Sequence, residues 1–164
     1  MNAWKNLVEL YQWSCEAHAD RPILGTKVRG AWTWLTYRQF RALVDCVRGG
    51  LAGLGVKAGD RVAFIGDNSV EWAVAAYATY GLRAAFVPMY QAQRPSEWQF
   101  ILADCGARVV FVANEASYDA VCGMRDKLPQ LAHVIGLARP PGATDSWTAL
   151  SAKRPAARRK RRSW

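Results

Sequence analysis

The sequence predicts an α/β fold with a mostly parallel sheet of about four strands, preceded by an N-terminal helix and a small β-hairpin. Four short runs are apolar on both faces, at residues 61–66, 83–88, 108–113 and 131–137. Helical patterns lie between these runs, and such alternation is typical of parallel strands joined by right-handed βαβ crossovers. The 164 residues are enough for one domain that buries roughly 70% of its unfolded surface.

The chain opens with a helical pattern and then a hairpin pattern. The helix is predicted from apolar residues at helical spacing, namely Trp4, Leu7, Val8, Tyr11 and Cys15. The stretch "RPILGTKVRGAWTWLTY" then predicts a hairpin of strands 23–26 and 31–35, with a turn that contains Gly30. Trp32 and Trp34 alternate in the second strand, and we expect them to pack in the core or against another domain.

A second helix follows the hairpin directly. Thr36 and Gln39 have the spacing of a capping box, which predicts its start, and Gly55 is placed to end it. Its predicted buried stripe consists of Phe40, Leu43, Val44, Val47, Leu51 and Leu54.

The βα units come next. A helix over 70–80 is predicted to stop at Gly81, and the strand after it to end at Pro88. Ser96 and Gln99 again have capping-box spacing and predict a helix that runs to Cys105. A helical stretch over 117–128 precedes the fourth strand, and "WTAL" predicts one more short helix.

The turn "GDNS", residues 66–69, is where a strand passes into a helix, and such turns often bind phosphate. A phosphate site needs glycines that let backbone N–H groups approach the anion. This turn contains one glycine, Gly66, and the next residue, Asp67, is an acid that would repel an anion. The chain contains neither a GxGxxG motif nor a Walker-type lysine loop. Asn68 or Ser69 is predicted to cap the next helix, with Glu71 in its first turn. We therefore expect this turn to be structural.

The net charge of +9 is unevenly distributed. Seven of the 22 basic residues fall within 153–164, which leaves 15 basic against 13 acidic residues in the rest of the chain. We divide the chain into a domain over 1–150 and a basic tail over 151–164 that is expected to be disordered. The tail has three interpretations: a nucleic-acid patch, a contact for anionic lipid, or the product of a shifted reading frame. The abrupt change of composition favours the third.

Cysteine and hydropathy patterns point to a reduced, soluble chain. The four cysteines (Cys15, Cys46, Cys105 and Cys122) form no close pair and have no histidine at metal-ligand spacing. His18 and His133 are solitary and are interpreted as surface or packing residues. No run approaches the ~20 apolar residues that span a bilayer, and no signal peptide is evident. We expect a cytoplasmic location, with peripheral membrane association left open.

Several segments occur together in a recognisable order. They are "WTWLTYRQF", "GLAGLGVKAGDRVAFIGDNSVEWAVAAYATYGL", "AAFVPMYQAQRPSEWQFILADCGARVVFV" and "LPQLAHVIGL". Together they resemble the region near the start of AMP-forming acyl-CoA synthetases, over about residues 4–137. The segment "VPMYQAQRPSEWQFIL" is most similar to the long-chain fatty acid branch. The resemblance implies part of the N-terminal domain of an adenylate-forming enzyme.

The resemblance also implies a chemistry. Such enzymes use ATP and Mg²⁺ to convert a fatty acid to an acyl-adenylate and then transfer the acyl group to coenzyme A. The phosphate-binding loop, the nucleotide motifs and the lid with its catalytic lysine lie beyond the matched segment. No residue of this chain is therefore assigned to catalysis, to cofactor binding or to a metal.

We expect a truncated ligase that binds no cofactor and is not catalytic by itself, though it could associate with the missing remainder of a synthetase. The alternative is a binding or regulatory module that acts through a partner synthetase or through nucleic-acid contacts of the tail. A nucleic-acid role is the less favoured of these.

Overall fold

The computed structural model describes residues 4–140 and 143–152. It contains the predicted α/β fold, with an N-terminal helix, a two-stranded hairpin and a four-stranded sheet. The elements are α1 (Leu7–Ala17), β1 (Pro22–Val28), β2 (Ala31–Thr36), α2 (Tyr37–Gly53), β3 (Arg61–Ile65), α3 (Val70–Tyr80), β4 (Ala85–Met89), α4 (Pro95–Cys105), β5 (Val109–Val112), α5 (Glu115–Gly123), β6 (His133–Gly136) and α6 (Trp147–Ser151).

The four-stranded sheet has the order β4-β3-β5-β6, and all of its strand pairs are parallel. Successive residues of β3 point to opposite faces, and both faces are buried. Val62 and Phe64 belong to a core cluster with α2 and α3, whereas Ala63 and Ile65 belong to a second cluster with α4 and α5. The runs that are apolar on both faces are thus explained by helices that cover both sides.

The hairpin turns tightly at Arg29 and Gly30, whose φ angles are 49° and 87°. Two successive positive φ values match the twist of a two-residue hairpin loop, and glycine adopts them at little cost. All residues from 25 to 34 are exposed. Trp32 and Trp34 keep 59% and 58% of their surface accessible, so they do not pack in the core, and their packing against another domain stays a prediction.

The helix α2 begins and ends as predicted. The backbone N–H of Gln39 donates to Thr36 Oγ1 at 3.3 Å, and the N–H of Thr36 donates to Gln39 Oε1 at 2.9 Å. Gly55 follows the helix with a φ of 81°. The helix α3 also ends where predicted, at Tyr80 with Gly81 as its C-cap, but Gly81 keeps a φ of −63° and the left-handed position is taken by Arg83, with a φ of 59°.

Two boundaries predicted from the sequence are wrong. Pro88 does not end its strand but lies inside β4, in register with Phe64. An edge strand tolerates proline, since one side of its backbone needs no donor. Helix α4 begins at Pro95 rather than at a Ser96–Gln99 box, and the carboxylate of Glu97 accepts the N–H of Arg94 at 2.7 Å. Proline is favoured at the first helical position because its fixed φ suits the helix.

The helix α6 lies at the predicted boundary between the domain and the tail. The tail was predicted to begin at 151, and Ser151 is the last residue of α6. Residues 153–164, which carry the basic run, lie outside the described residues. In the described part of the chain, no helix has both the length and the apolar character needed to cross a bilayer.

Candidate functional site

The strand order places a topological switch point at β3. The chain passes from β3 to β4 on one side and later reaches β5 on the other. In open α/β sheets, ligands bind in the crevice outside the carboxyl ends of the strands at such a point. The two segments that border it are the turn 66–69 after β3 and the pair Ala113–Asn114 after β5.

This crevice is closed by direct packing of the two segments. A Cβ atom on Gly66 would lie 2.8 Å from the Cβ of Ala113 and 2.8 Å from the ring of Phe64. The N–H of Ala113 donates to the carbonyl of Ile65 at 3.0 Å, and the N–H of Gly66 donates to that of Met89 at 3.2 Å. Glycine is needed here for close approach between segments of the chain, so the two segments meet directly at Gly66 and Ala113.

The helix N-termini at the switch point are capped by their own chain. Ser69 Oγ accepts the N–H of Trp72 at 3.1 Å, which confirms Ser69 as the N-cap of α3. Asn114 Oδ1 accepts the N–H of Ser117 at 2.8 Å. Each capping oxygen occupies an N–H group that an anion would need. The acidic side chain of Asp67 beside this turn adds further repulsion.

A groove of about 490 Å³ lies beside the closed crevice, at the carboxyl ends of β3 and β4. Asp67 and Trp72 border it on one side, and Met89 and Tyr90 on the other. The ring of Trp72 packs edge-on against Phe86 at 5.3 Å. The side chain of Tyr90 is 76% exposed. A groove that combines apolar and aromatic side chains with Asn68 and the carboxylate of Asp67 suits a partly apolar ligand or another polypeptide segment better than an anion.

The wall of this groove is fixed by the segment "YQAQRPSEW". The indole N–H of Trp98 donates to the carbonyl of Tyr90 at 3.0 Å, and the N–H of Tyr90 donates to Gln93 Oε1 at 3.0 Å. Trp98 itself is 5% exposed. The segment that carries the long-chain resemblance therefore shapes one side of the groove. Sequence reasoning did not assign this groove, because it is formed by the ends of two strands whose adjacency the sequence does not show.

A polar cluster anchors the segment that follows β6. The hydroxyl of Tyr118 donates to the carboxylate of Asp145, and Arg139 lies 3.7 Å from Asp145 and 3.4 Å from Glu115. The hydrogen bond from Tyr118 lowers the pKa of Asp145 below its ordinary value of 3.8, and the same bond raises the pKa of Tyr118. Ion pairs and the Tyr118 hydrogen bond link these groups to one another, which is the pattern of a structural network, although Arg139 Nε is buried without a hydrogen-bond partner among the described residues.

The thiols show no sign of activation. All four cysteines are free, and burial raises the pKa of Cys15 and of Cys105. A protonated thiol is a poor nucleophile and a poor metal ligand. Within residues 4–140 and 143–152, no three His, Cys, Asp or Glu side chains are grouped in a way that could hold a metal ion.

Two similar curated proteins are long-chain-fatty-acid–CoA ligases. The chain is 29% identical over 134 residues to the long-chain-fatty-acid–CoA ligase FadD15 of Mycobacterium bovis, which covers 81% of this chain and 22% of that protein. It is 29% identical over 126 residues to the human long-chain-fatty-acid–CoA ligase ACSBG1, covering 77% of this chain and 17% of the other. The chain thus spans only about a fifth of the length of these relatives.

Solved structures share the fold. The anthranilate CoA ligase AuaEII, in complex with anthranoyl-AMP, matches with a TM-score of 0.80 and 26% identity, over 92% of this chain and 28% of that one. A putative long-chain-fatty-acid CoA ligase from Rhodopseudomonas palustris matches with a TM-score of 0.78 and 25% identity, over 91% of this chain and 37% of the other.

The family model described as AMP-binding enzyme matches residues 11–162, nearly the whole chain. The sequence segments, the parallel sheet and the relatives agree with it. The chain therefore belongs to the AMP-binding enzyme family.

Proposed function

We propose that this chain serves as the N-terminal scaffold of an ATP-dependent long-chain fatty acid–CoA ligase and does not form acyl-adenylate by itself. The first part of the proposal is supported by the family and by relatives that are long-chain-fatty-acid–CoA ligases. The second part is supported above all by the packed contact between Gly66 and Ala113, at the place where an open α/β sheet usually binds its ligand.

The fit of the described residues to ATP is poor. A triphosphate needs several free backbone N–H groups and a cation, commonly with Mg²⁺ between phosphate oxygens. At the switch point, the N–H groups of Trp72 and Ser117 are occupied by capping side chains, and Asp67 is acidic. We therefore assign no ATP, Mg²⁺ or coenzyme A contact to this chain and derive no step through them.

In this proposal the groove between Trp72 and Tyr90 faces the fatty acyl substrate or the remainder of a ligase. Its apolar wall is rigid, because Trp98 holds the backbone of Tyr90. Burial of an aromatic side chain such as the exposed Tyr90 stabilises an apolar contact by about 1.5–3 kcal/mol. The chain thus contributes a preformed surface, whereas phosphate chemistry is supplied by other parts of a ligase.

The test is ATP–pyrophosphate exchange with palmitate as the acid. We expect no exchange above background for the purified chain, and exchange for a full-length relative assayed in parallel as the positive control. Exchange by the chain alone that depends on both ATP and palmitate would contradict the claim of inactivity. Co-purification with a co-expressed ligase segment that carries a phosphate loop tests the scaffold role separately.

A further inference from the structure

The distal half of the hairpin projects from the body of the protein. Residues 25–34, called here the hairpin tip, are exposed on both strands and on both faces. At the base, Leu24 and Leu35 are half-buried and pack against the core cluster. The base of the hairpin is therefore held by the core, whereas the hairpin tip stays exposed.

The tip carries large apolar side chains on its outer face. Trp32 and Trp34 lie on the same face of β2, and their ring centroids are 5.7 Å apart at an angle of 24°. The ring of Trp34 covers Gly25, since a Cβ on that glycine would lie 2.8 Å from it. Val28 at the turn is 50% exposed. An exposed cluster of this kind marks a surface that meets an apolar partner.

The surroundings of the tip are positively charged. Between Asp20 and Asp45 the sequence has no acidic residue and five basic ones, which are Arg21, Lys27, Arg29, Arg38 and Arg41. Arg38 is paired with Asp20 at 2.8 Å, and Arg41 with Glu16 at 3.5 Å. These two pairs lie near the base of the hairpin and neutralise two of the basic residues there.

The cations at the tip are not neutralised. Lys27 stands opposite Trp32 in the strand register, and Arg29 occupies the turn. Neither forms an ion pair within the described ranges of the chain, 4–140 and 143–152. Tryptophan rings and basic side chains at one projecting end are the combination that the headgroup region of an anionic bilayer favours.

We propose that the hairpin tip is an interfacial anchor that places Trp32 and Trp34 at the headgroup level of an anionic phospholipid membrane. Lys27 and Arg29 contact the lipid phosphates, and the indoles bury their apolar edges while their N–H groups stay in the polar layer. A second copy of the chain is a poorer occupant, because stacking two tips would bring together two sets of uncompensated cations.

The experiment is sedimentation of the full chain with vesicles of phosphatidylcholine and phosphatidylglycerol in equal parts, compared with vesicles of phosphatidylcholine alone. We expect the chain to bind the anionic vesicles more tightly. The double variant Trp32→Ser/Trp34→Ser should weaken that binding by about tenfold or more, through lost apolar burial. The variant Phe100→Ser is the matched control, since Phe100 is 69% exposed on α4, and it should bind as the original chain does.

A charge variant separates the tip from the overall positive charge. Lys27→Gln/Arg29→Gln should weaken anionic binding by about 25-fold at low salt, about fivefold for each charge. Lys57→Gln/Arg94→Gln removes the same charge elsewhere on the surface and should have a clearly smaller effect. Residues 153–164 are identical in all variants, so their contribution cancels in these comparisons.

Several results would overturn the proposal. They are failure of the chain to bind either vesicle, binding that the tryptophan variants leave unchanged, and equal losses from the two charge variants. A dimer that dissociates only when the tryptophans are replaced would assign the tip to self-association instead. Trp32→Ser alone, which leaves Trp34 over Gly25, keeps the test valid if the double variant unfolds.

Discussion

Substitution of Gly66 by alanine tests the closed crevice directly. The added Cβ would lie 2.8 Å from Ala113 and 2.8 Å from the fully buried ring of Phe64. Ordinary carbon contacts are about 3.5–4.0 Å, so both neighbours must move. Overpacking of this kind typically destabilises a protein by about 1–3 kcal/mol. We expect the loss for Gly66→Ala to lie in the upper half of that range, because neither neighbouring atom is the far end of a flexible side chain.

The assay is urea unfolding followed by circular dichroism, with the free energy of unfolding taken from the midpoint at constant slope. Ala113→Gly should be destabilising by itself, by about 0.5–1 kcal/mol from added backbone freedom. Combined with Gly66→Ala, it removes one of the two clashes. The double variant should therefore be more stable than the sum of the single effects predicts, by about 1 kcal/mol.

The control is Gly123→Ala, because a Cβ at that helical position meets no atom within 4 Å. This substitution should stabilise the chain by about 0.4–1 kcal/mol. If Gly66→Ala proves as harmless as Gly123→Ala, then the crevice has room for a ligand. A phosphate at the switch point would then no longer be excluded by the contact between Gly66 and Ala113.

Two further predictions concern the caps and the polar cluster. Ser69→Ala should lower the free energy of unfolding by about 1 kcal/mol through loss of the α3 cap, whereas Ser96→Ala, at a position without a capping bond, should be nearly neutral in the same urea assay. Asp145 has a pKa below its ordinary value of 3.8 because Tyr118 donates to it, so its stabilising effect is present above that value and is lost as the pH falls through the lowered pKa. Tyr118→Phe should reduce this acid dependence, and thermal melting at neutral and acidic pH measures it; an unchanged dependence would contradict the assignment.

The sequence was informative wherever a local pattern decides the structure. The reciprocal bonds between Thr36 and Gln39 follow from residue type and spacing, and so does the choice of Ser69 or its neighbour as a cap. The strands 61–66 and 108–113 were recognisable because burial on both faces demands continuous apolar runs. The fold class was therefore predictable before any tertiary contact was known.

Features that depend on strand order or on distant contacts were not predictable. Pro88 was expected to end a strand, because the sequence does not reveal that β4 is an edge strand where the missing N–H is tolerated. The exposure of Trp32 and Trp34 in this chain could not be predicted either, since alternation in a strand does not show whether another element covers one of its faces. The groove beside Trp72 arises from two strands that are adjacent only in space.

Pro88 affects whether copies of this domain can pair through the edges of their sheets. The flank of the sheet formed by β4 lacks one backbone donor, which makes it a poor template for an incoming strand. At the opposite flank, Gly136 of β6 already forms a parallel β-bridge with Ser146 of the same chain. Growth of a fibre by strand addition requires an open flank on each side of the sheet, and here one flank carries Pro88 while the other is partly covered by the segment at Ser146. Proline in this place thus limits polymerisation by geometry, with no loss of core packing.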